Sequence, residues 1–153
     1  TTIDNATVCN STTCCGRIIQ DVTMSESVAP WLISTSPANG ATGSSCTNNI
    51  TVTFIEDMDT TSVTTNTDNT SCSGTIQISL DSFGSCVQMT SGDPSTSDNK
   101  TFGVKPVKLI LSSTYKIRVT TGVTDPSGNP MSDNNTTGTF YTASKGTSGS
   151  GCQ

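Results

Sequence analysis

Three carboxylates stand close together in the sequence and are the first candidates for chemistry. Glu56, Asp57 and Asp59 lie within the stretch ITVTFIEDMD. Paired carboxylates can act in general acid–base catalysis, and oxygen-rich loops bind Ca²⁺. Glu56 and Asp57, together with Asp125 further along the chain, are therefore candidate calcium ligands. We favour the competing interpretation, a solvated loop in which Asp59 begins a turn, and expect no metal.

Histidine is missing from the sequence. Activation of a serine or cysteine nucleophile by a neighbouring histidine is therefore excluded. We expect no catalytic residue, no cofactor and no enzymatic activity.

The cysteines point to disulfides. There are seven, and no two of them have the Cys-x₂-Cys spacing of a zinc site. Cys72 and Cys86 flank two neighbouring strand segments, so we predict a bond between them, whereas Cys46 has no obvious partner. An odd number leaves at least one thiol free or bonded to another chain. The candidates for a bond between subunits are Cys9, Cys14, Cys15 and Cys152.

The elements that position these residues are strands. Hydrophobic residues make up 31% of the chain and charged residues 12%, while Ser and Thr are very frequent. Thr suits a half-exposed strand and Ser suits turns. Sustained apolar spacing at three and four residues, which would indicate helices, is absent. The composition therefore favours an all-β fold.

Apolar residues alternate along several short segments. Ile50, Val52 and Phe54 share one strand face, and Trp31 is expected in the core as well. Period-2 spacing places alternate side chains on one face of a strand. With the segment CVQM at 86–89, about seven strands are predicted, typical of a sandwich. The other residues expected to face the core are Ile76, Ile78, Leu80, Phe102, Val104, Ile117, Val119 and Phe140.

Charge and hydropathy exclude two classes of partner. The net charge is −5, and the seven Lys and Arg residues are scattered, so we expect no binding to nucleic acid. No apolar run is long enough to span a bilayer. Because the sequence starts at Thr1, we expect that a secretory signal peptide has been removed and that the protein is extracellular or at the cell surface.

Four segments together resemble the bacterial Ig-like domain family of S-layer and cell-surface proteins. They are SPANGAT at 36–42, ITVTFIEDMDTTSV at 50–63, LILSSTYKIRVTTGVTDPSGNPM at 109–131 and TGTFYTA at 137–143. The resemblance covers about residues 31–143 and implies an antiparallel immunoglobulin-like β-sandwich without catalysis. Independently of the family, Tyr115 is placed like the residue of a tyrosine corner, and Asp125 to Asn129 have the composition of a turn.

The two ends of the chain depart from that family. We divide the sequence into an N-terminal extension at 1–29, a sandwich at 30–144 and a Gly/Ser-rich tail at 145–153. The extension is too polar to form its own core, yet it contains Ile18, Ile19 and Val22. We predict that the segment 16–24 adds a strand to the open sheet edge of another subunit.

Three functions remain open. A structural subunit of an extracellular filament, in which copies join head-to-tail through the terminal extensions and disulfides, fits the odd cysteine count best. An adhesin or carbohydrate-binding module is the first alternative, although Trp31 in the core would leave few aromatic rings for sugars. A spacer domain of a surface layer is the second. Glycans are a further candidate partner, because Asn-x-Ser/Thr triplets are numerous, but a chain rich in Ser and Thr produces such triplets by chance.

Overall fold

The computed structural model describes residues 28–68 and 71–144, which form two packed antiparallel sheets. The first sheet has the order β1-β2-β4 and the second the order β3-β5-β6. The described residues contain no helix, and hence none that is long and apolar enough to cross a membrane. The strands are β1 (Leu32–Ser36), β2 (Ile50–Phe54), β3 (Ile76–Ser79), β4 (Thr101–Val104), β5 (Thr114–Val119) and β6 (Asn135–Tyr141).

The segment at 86–89, predicted as a strand, pairs only at single positions. The Val87 N–H donates to the Ile78 carbonyl, and Met89 forms a bridge with Pro106. Counted with the six strands, it gives seven segments that take part in pairing, where the sequence predicts about seven strands. The predicted fold class, an antiparallel immunoglobulin-like sandwich, is confirmed.

Alternating residues of both sheets fill the core. Ile50, Val52 and Phe54 are at most 1% exposed, and each lies opposite a residue of β1 or β4. Two aromatic pairs contribute: Phe54 meets Phe102 edge-to-face, with ring centroids 5.9 Å apart, and Tyr115 stacks on Phe140 at 5.6 Å. The other predicted core residues that are buried are Ile76, Ile78, Val104, Ile117 and Val119.

Leu80 was predicted to lie in the core, and this prediction is wrong: the residue is 46% exposed. Strand β3 ends at Ser79, whose hydroxyl donates to Asp81 and accepts the backbone N–H of Phe83. Such local side-chain bonds compete with continued strand pairing. The chain therefore turns away just before the alternation would have buried Leu80.

Trp31 was also expected in the core and is instead 50% exposed. Strand β1 begins one residue later, and Leu32 takes the position opposite Phe54. A bulge lies between Leu32 and Ser34. The core position is thus occupied by Leu32, and the indole remains at the surface.

The sandwich has two distinct ends. Strands β2 and β5 finish at one end, where β4 and β6 start. There the loop after β2 is bonded to the loop after β5, because the Asp59 N–H donates to the Thr124 carbonyl. We call this the Trp31 end, because Trp31 bonds through its carbonyl to Ile55 there. At the other end, the segment 40–44 pairs with the last residues of β6. The described chain therefore enters the sandwich at the Trp31 end and leaves it, after Ala143, at the opposite end.

Candidate functional site

The clustered carboxylates do not assemble a metal site in the described part of the chain. Asp57 is exposed and lies 3.6 Å from the ammonium of Lys100. Asp59 accepts hydrogen bonds from the backbone N–H and the hydroxyl of Thr61, as expected for a residue that begins a turn. Within residues 28–68 and 71–144, no three Cys, Asp or Glu side chains come together in a way that could hold a metal ion.

Asp125 closes its own turn. One carboxylate oxygen accepts the backbone N–H groups of Ser127 and Asn129, each at 2.8 Å, and the other accepts the Asn129 side-chain amide at 2.7 Å. These bonds, the one from the Asn129 side chain above all, lower the pKa of Asp125. Gly128 supplies the positive φ of 86° that the turn requires. The carboxylate is thus engaged in local structure.

A disulfide joins Cys72 and Cys86, with Cα atoms 4.9 Å apart, as predicted. It ties the segment before β3 to the segment that follows the Ser79–Ser85 turn. The buried amide of Gln77 donates to the Cys72 carbonyl and so holds the same segment against β3. Cys46 is disulfide-bonded too, and its partner is neither of these two cysteines.

The residues predicted to join subunits lie outside the described part of the chain. They are Cys9, Cys14, Cys15, Cys152, Ile18, Ile19 and Val22. Their role stays a prediction.

An apolar groove of about 410 Å³ opens at the end opposite Trp31. Leu80, Val107 and Ile110 form its walls and are 46%, 54% and 51% exposed. Its lining also includes Val87 and the buried ring of Tyr115. Two stretches that are distant in sequence, 80–88 and 107–115, thus place exposed aliphatic side chains around one concave surface.

The Tyr115 hydroxyl fixes one wall of this groove. It accepts the backbone N–H of Ile110 at 2.9 Å, which is the hydrogen bond of a tyrosine corner. Burial of the ring raises the pKa of Tyr115 above its ordinary value, because the buried environment disfavours the charged form. The expected structural role of Tyr115 is confirmed.

The Trp31 end carries a second exposed apolar surface. Trp31, Ile33 and Ile55 are 50%, 54% and 39% exposed and belong to the start of β1 and the residue after β2. Asp133 and Asn134 lie beside the indole in a shallow depression. This surface lies beside the start of the edge strand β1, at the end of the sandwich opposite the groove.

The described charges are unevenly distributed between the two ends. Lys100 is the cation at the Trp31 end, where the loops contain the carboxylates of Glu56, Asp57, Asp59, Asp98, Asp125 and Asp133. The groove end has Lys105, Lys108 and Lys116, with Asp81 as its anion. Asp68, Asp93 and Arg118 lie along the flanks, and Lys108 itself lines the groove. One end of the sandwich is therefore acidic, and the rim of the groove at the other end is basic.

Comparison with known proteins identifies the family. A model of the bacterial Ig-like domain matches residues 26–142, nearly the stretch for which the sequence indicated the resemblance. The chain belongs to the bacterial Ig-like domain family. No curated protein matches its sequence significantly.

Solved structures with the same fold include the S-layer protein SbsC. Its crystal structure has a TM-score of 0.50 and 19% identity, over 74% of this chain and 14% of SbsC. The crystal structure of its N-terminal part has a TM-score of 0.51 and 19% identity, over 75% of this chain and 24% of that one. The structure of SbsC domains 1–6 has a TM-score of 0.51 and 20% identity, over 75% of this chain and 14% of that one. This bacterial Ig-like domain thus spans a small part of the proteins that it resembles, and the likeness is one of fold.

Proposed function

We propose that the protein is a structural subunit of an extracellular filament, without enzymatic activity, in which copies join head-to-tail. The sandwich at 30–144 is the rigid unit. The extensions at 1–29 and 145–153 join neighbouring subunits in two ways. One is an added strand around Ile18, Ile19 and Val22, and the other is a disulfide formed by a cysteine of the extensions.

The observation that carries this proposal is the placement of the two connections. The described chain enters the sandwich beside Trp31 and leaves it after Ala143 at the opposite end. A subunit whose extensions emerge at opposite ends can contact one neighbour at each end. Such a contact uses two different surfaces, so it cannot close as a symmetric dimer. It forms an open chain when the rotation between neighbours does not close a ring, which contacts at opposite ends of the sandwich favour.

The family and the chemistry of the chain support a structural role at the cell surface. SbsC, whose fold the chain shares, is an S-layer protein. Disulfides persist in oxidising, extracellular environments, and Cys72–Cys86 is one. The sequence has no histidine, and its clustered carboxylates serve turns and an ion pair.

Deletion of residues 1–24 tests the proposal. We expect the full chain to form fibres visible by negative-stain electron microscopy and the shortened chain to remain dispersed. Near-ultraviolet circular dichroism then verifies that the sandwich is still folded. A full chain that stays dispersed at every concentration contradicts the filament, and fibres that persist without residues 1–24 contradict the role of the extension.

A spacer domain of a larger surface-layer protein is the second candidate. It is favoured by the fact that the chain matches only 14% of the SbsC structure, which contains further domains. Connections at opposite ends also suit a domain within a row. In this case the isolated chain is a monomer at all concentrations.

One observation favours a carbohydrate-binding function and another opposes it. Trp31 is exposed and hence free to stack on a sugar. The other exposed ring, Tyr141, pairs with Thr114 at the opposite end of the sandwich. Because the two rings cannot form one platform, we do not favour this function.

A further inference from the structure

We propose that the Trp31 end of one copy seats in the groove at the opposite end of the next copy, and that this contact sets the axial joint of the filament. The inference rests on the proposed function and adds the contact surface between the folded domains. The occupant of the groove is thus a second copy of this chain.

The groove has the features of an acceptor. Leu80, Val107 and Ile110 are each about half exposed around one concavity, and a soluble domain leaves few such clusters without a partner. Tyr115 and the Cys72–Cys86 disulfide hold its floor and one side in place. A preformed surface loses little conformational entropy on binding.

The Trp31 end has the features of a donor. An exposed indole flanked by Ile33 and Ile55 offers a large apolar area, and Trp is enriched among the residues that dominate binding energies. Strand β1 itself is a poor site for adding a strand through backbone pairing, because it has five residues, carries a bulge and lies between Pro30 and Pro37. Side-chain insertion therefore fits this end better than β-augmentation.

Charge supports the same pairing. Lys108 lines the groove and Lys105 precedes Val107 of its wall by two residues, whereas Asp133 lies beside Trp31 and Glu56 directly follows Ile55. Opposite potentials steer association and select against the wrong orientation. Contact between two Trp31 ends would bring carboxylates together, so head-to-head pairing is disfavoured.

A pair of charge-reversed variants tests the orientation. The first carries Lys105→Glu and Lys108→Glu at the groove, and the second carries Glu56→Lys and Asp133→Lys at the donor end. Each alone opposes like charges at every joint, so we expect the critical concentration for fibres to rise about tenfold or more. Mixed in equal amounts, the two variants can alternate with opposite charges at every joint, and we expect fibres to return.

Trp31 tests the apolar part of the contact. Trp31→Ala is expected to raise the critical concentration about tenfold or more. Tyr141→Ala is the matched control, because Tyr141 is exposed at the groove end but does not line the groove, and it should leave assembly unchanged. Trp31 is the one tryptophan of the sequence, so its fluorescence should also shift to shorter wavelength as fibres form.

The outcomes separate this inference from the filament itself. Fibres that form normally in Trp31→Ala, or an equal mixture that assembles no better than its components, overturn the contact while the filament stands. A native chain that forms no fibres removes both. Sedimentation of fibres over a concentration series gives the critical concentration, and urea unfolding verifies that each variant is folded.

Discussion

The hydroxyl of Tyr115 accepts a hydrogen bond from the backbone N–H of Ile110, 2.9 Å away, and so closes the connection that precedes its own strand. The ring is 1% exposed and stacks on Phe140. We expect Tyr115→Phe to keep the packing but to lose this bond, which lowers the free energy of unfolding by about 1 kcal/mol. Urea unfolding measures the change. Tyr141→Phe, at an exposed ring, is the control, and equal stability of the Tyr115→Phe variant and the native protein would contradict the role.

Gly74 is confined by the backbone of a neighbouring segment. Its φ is +79°, and a Cβ atom there would lie 2.6 Å from the Thr65 carbonyl carbon. Gly40 has nearly the same φ, +78°, but nothing lies within 4 Å of its Cβ position. Both alanine variants carry the cost of left-handed backbone, and Gly74→Ala also carries the clash.

We therefore expect Gly74→Ala to be less stable than Gly40→Ala by about 1–3 kcal/mol. Thermal and urea unfolding of the two variants give the difference directly. Because the backbone term is shared, the comparison isolates the contact with Thr65. Equal destabilisation by the two substitutions would show that the segments at 65 and 74 can move apart.

The Cys72–Cys86 bond closes a loop with a sequence separation of 14. On the loop-entropy model, a loop of this size contributes about 3 kcal/mol of stability. We expect the double variant Cys72→Ser/Cys86→Ser to lose about that amount in urea unfolding. Mass spectrometry of non-reduced peptides tests the pairing itself, which is refuted by recovery of Cys72 linked to any other cysteine.

Much of the fold follows from local pattern. Ile50, Val52 and Phe54 alternate without interruption, and the structure buries all three. Leu80 continues the alternation of Ile76 and Ile78 but lies beyond the end of β3, because hydrogen bonds of the Ser79 hydroxyl start a turn there. A Ser two residues before an Asp was the signal that could have located this strand end.

The groove could not be predicted in the same way. Leu80 and Val87 come from the stretch around the turn after β3, and Ile110 comes from the connection after β4. Their proximity depends on the pairing of β3 with β5 and on the course of that connection. Trp31 illustrates the same limit, since an apolar residue beside a strand start can face either way. Apolar content alone did not distinguish core from surface at these positions.

Asp81 makes a testable contribution to stability at low pH. Its carboxylate accepts the backbone N–H of Ser85 at 2.9 Å, the Ser85 hydroxyl at 2.7 Å and the Ser79 hydroxyl at 2.8 Å. These bonds, the one from the Ser85 backbone above all, lower the pKa of Asp81 from 3.8 to about 2. Because the folded pKa lies below the unfolded one, the stabilisation is complete above about pH 4 and is lost as the pH falls through about 2.

We therefore expect the free energy of unfolding of Asp81→Asn to fall less steeply than that of the native protein as the pH falls from about 4 to about 2. The native protein loses the contribution of the Asp81 carboxylate in this range, and the variant does not have that contribution. The pKa values of Asp98 and Asp125 are also lowered by hydrogen bonds, so the stability of both proteins still depends on pH in this range.

Carbon-13 NMR titration of the Asp81 carboxyl gives its pKa directly. Ser85→Ala removes one of the hydroxyl bonds and should raise that pKa part of the way toward its ordinary value. If the pKa of Asp81 in the native protein is near its ordinary value, the hydrogen-bonded turn after β3 is not maintained in solution. The wall of the groove that this turn positions would then not be maintained either.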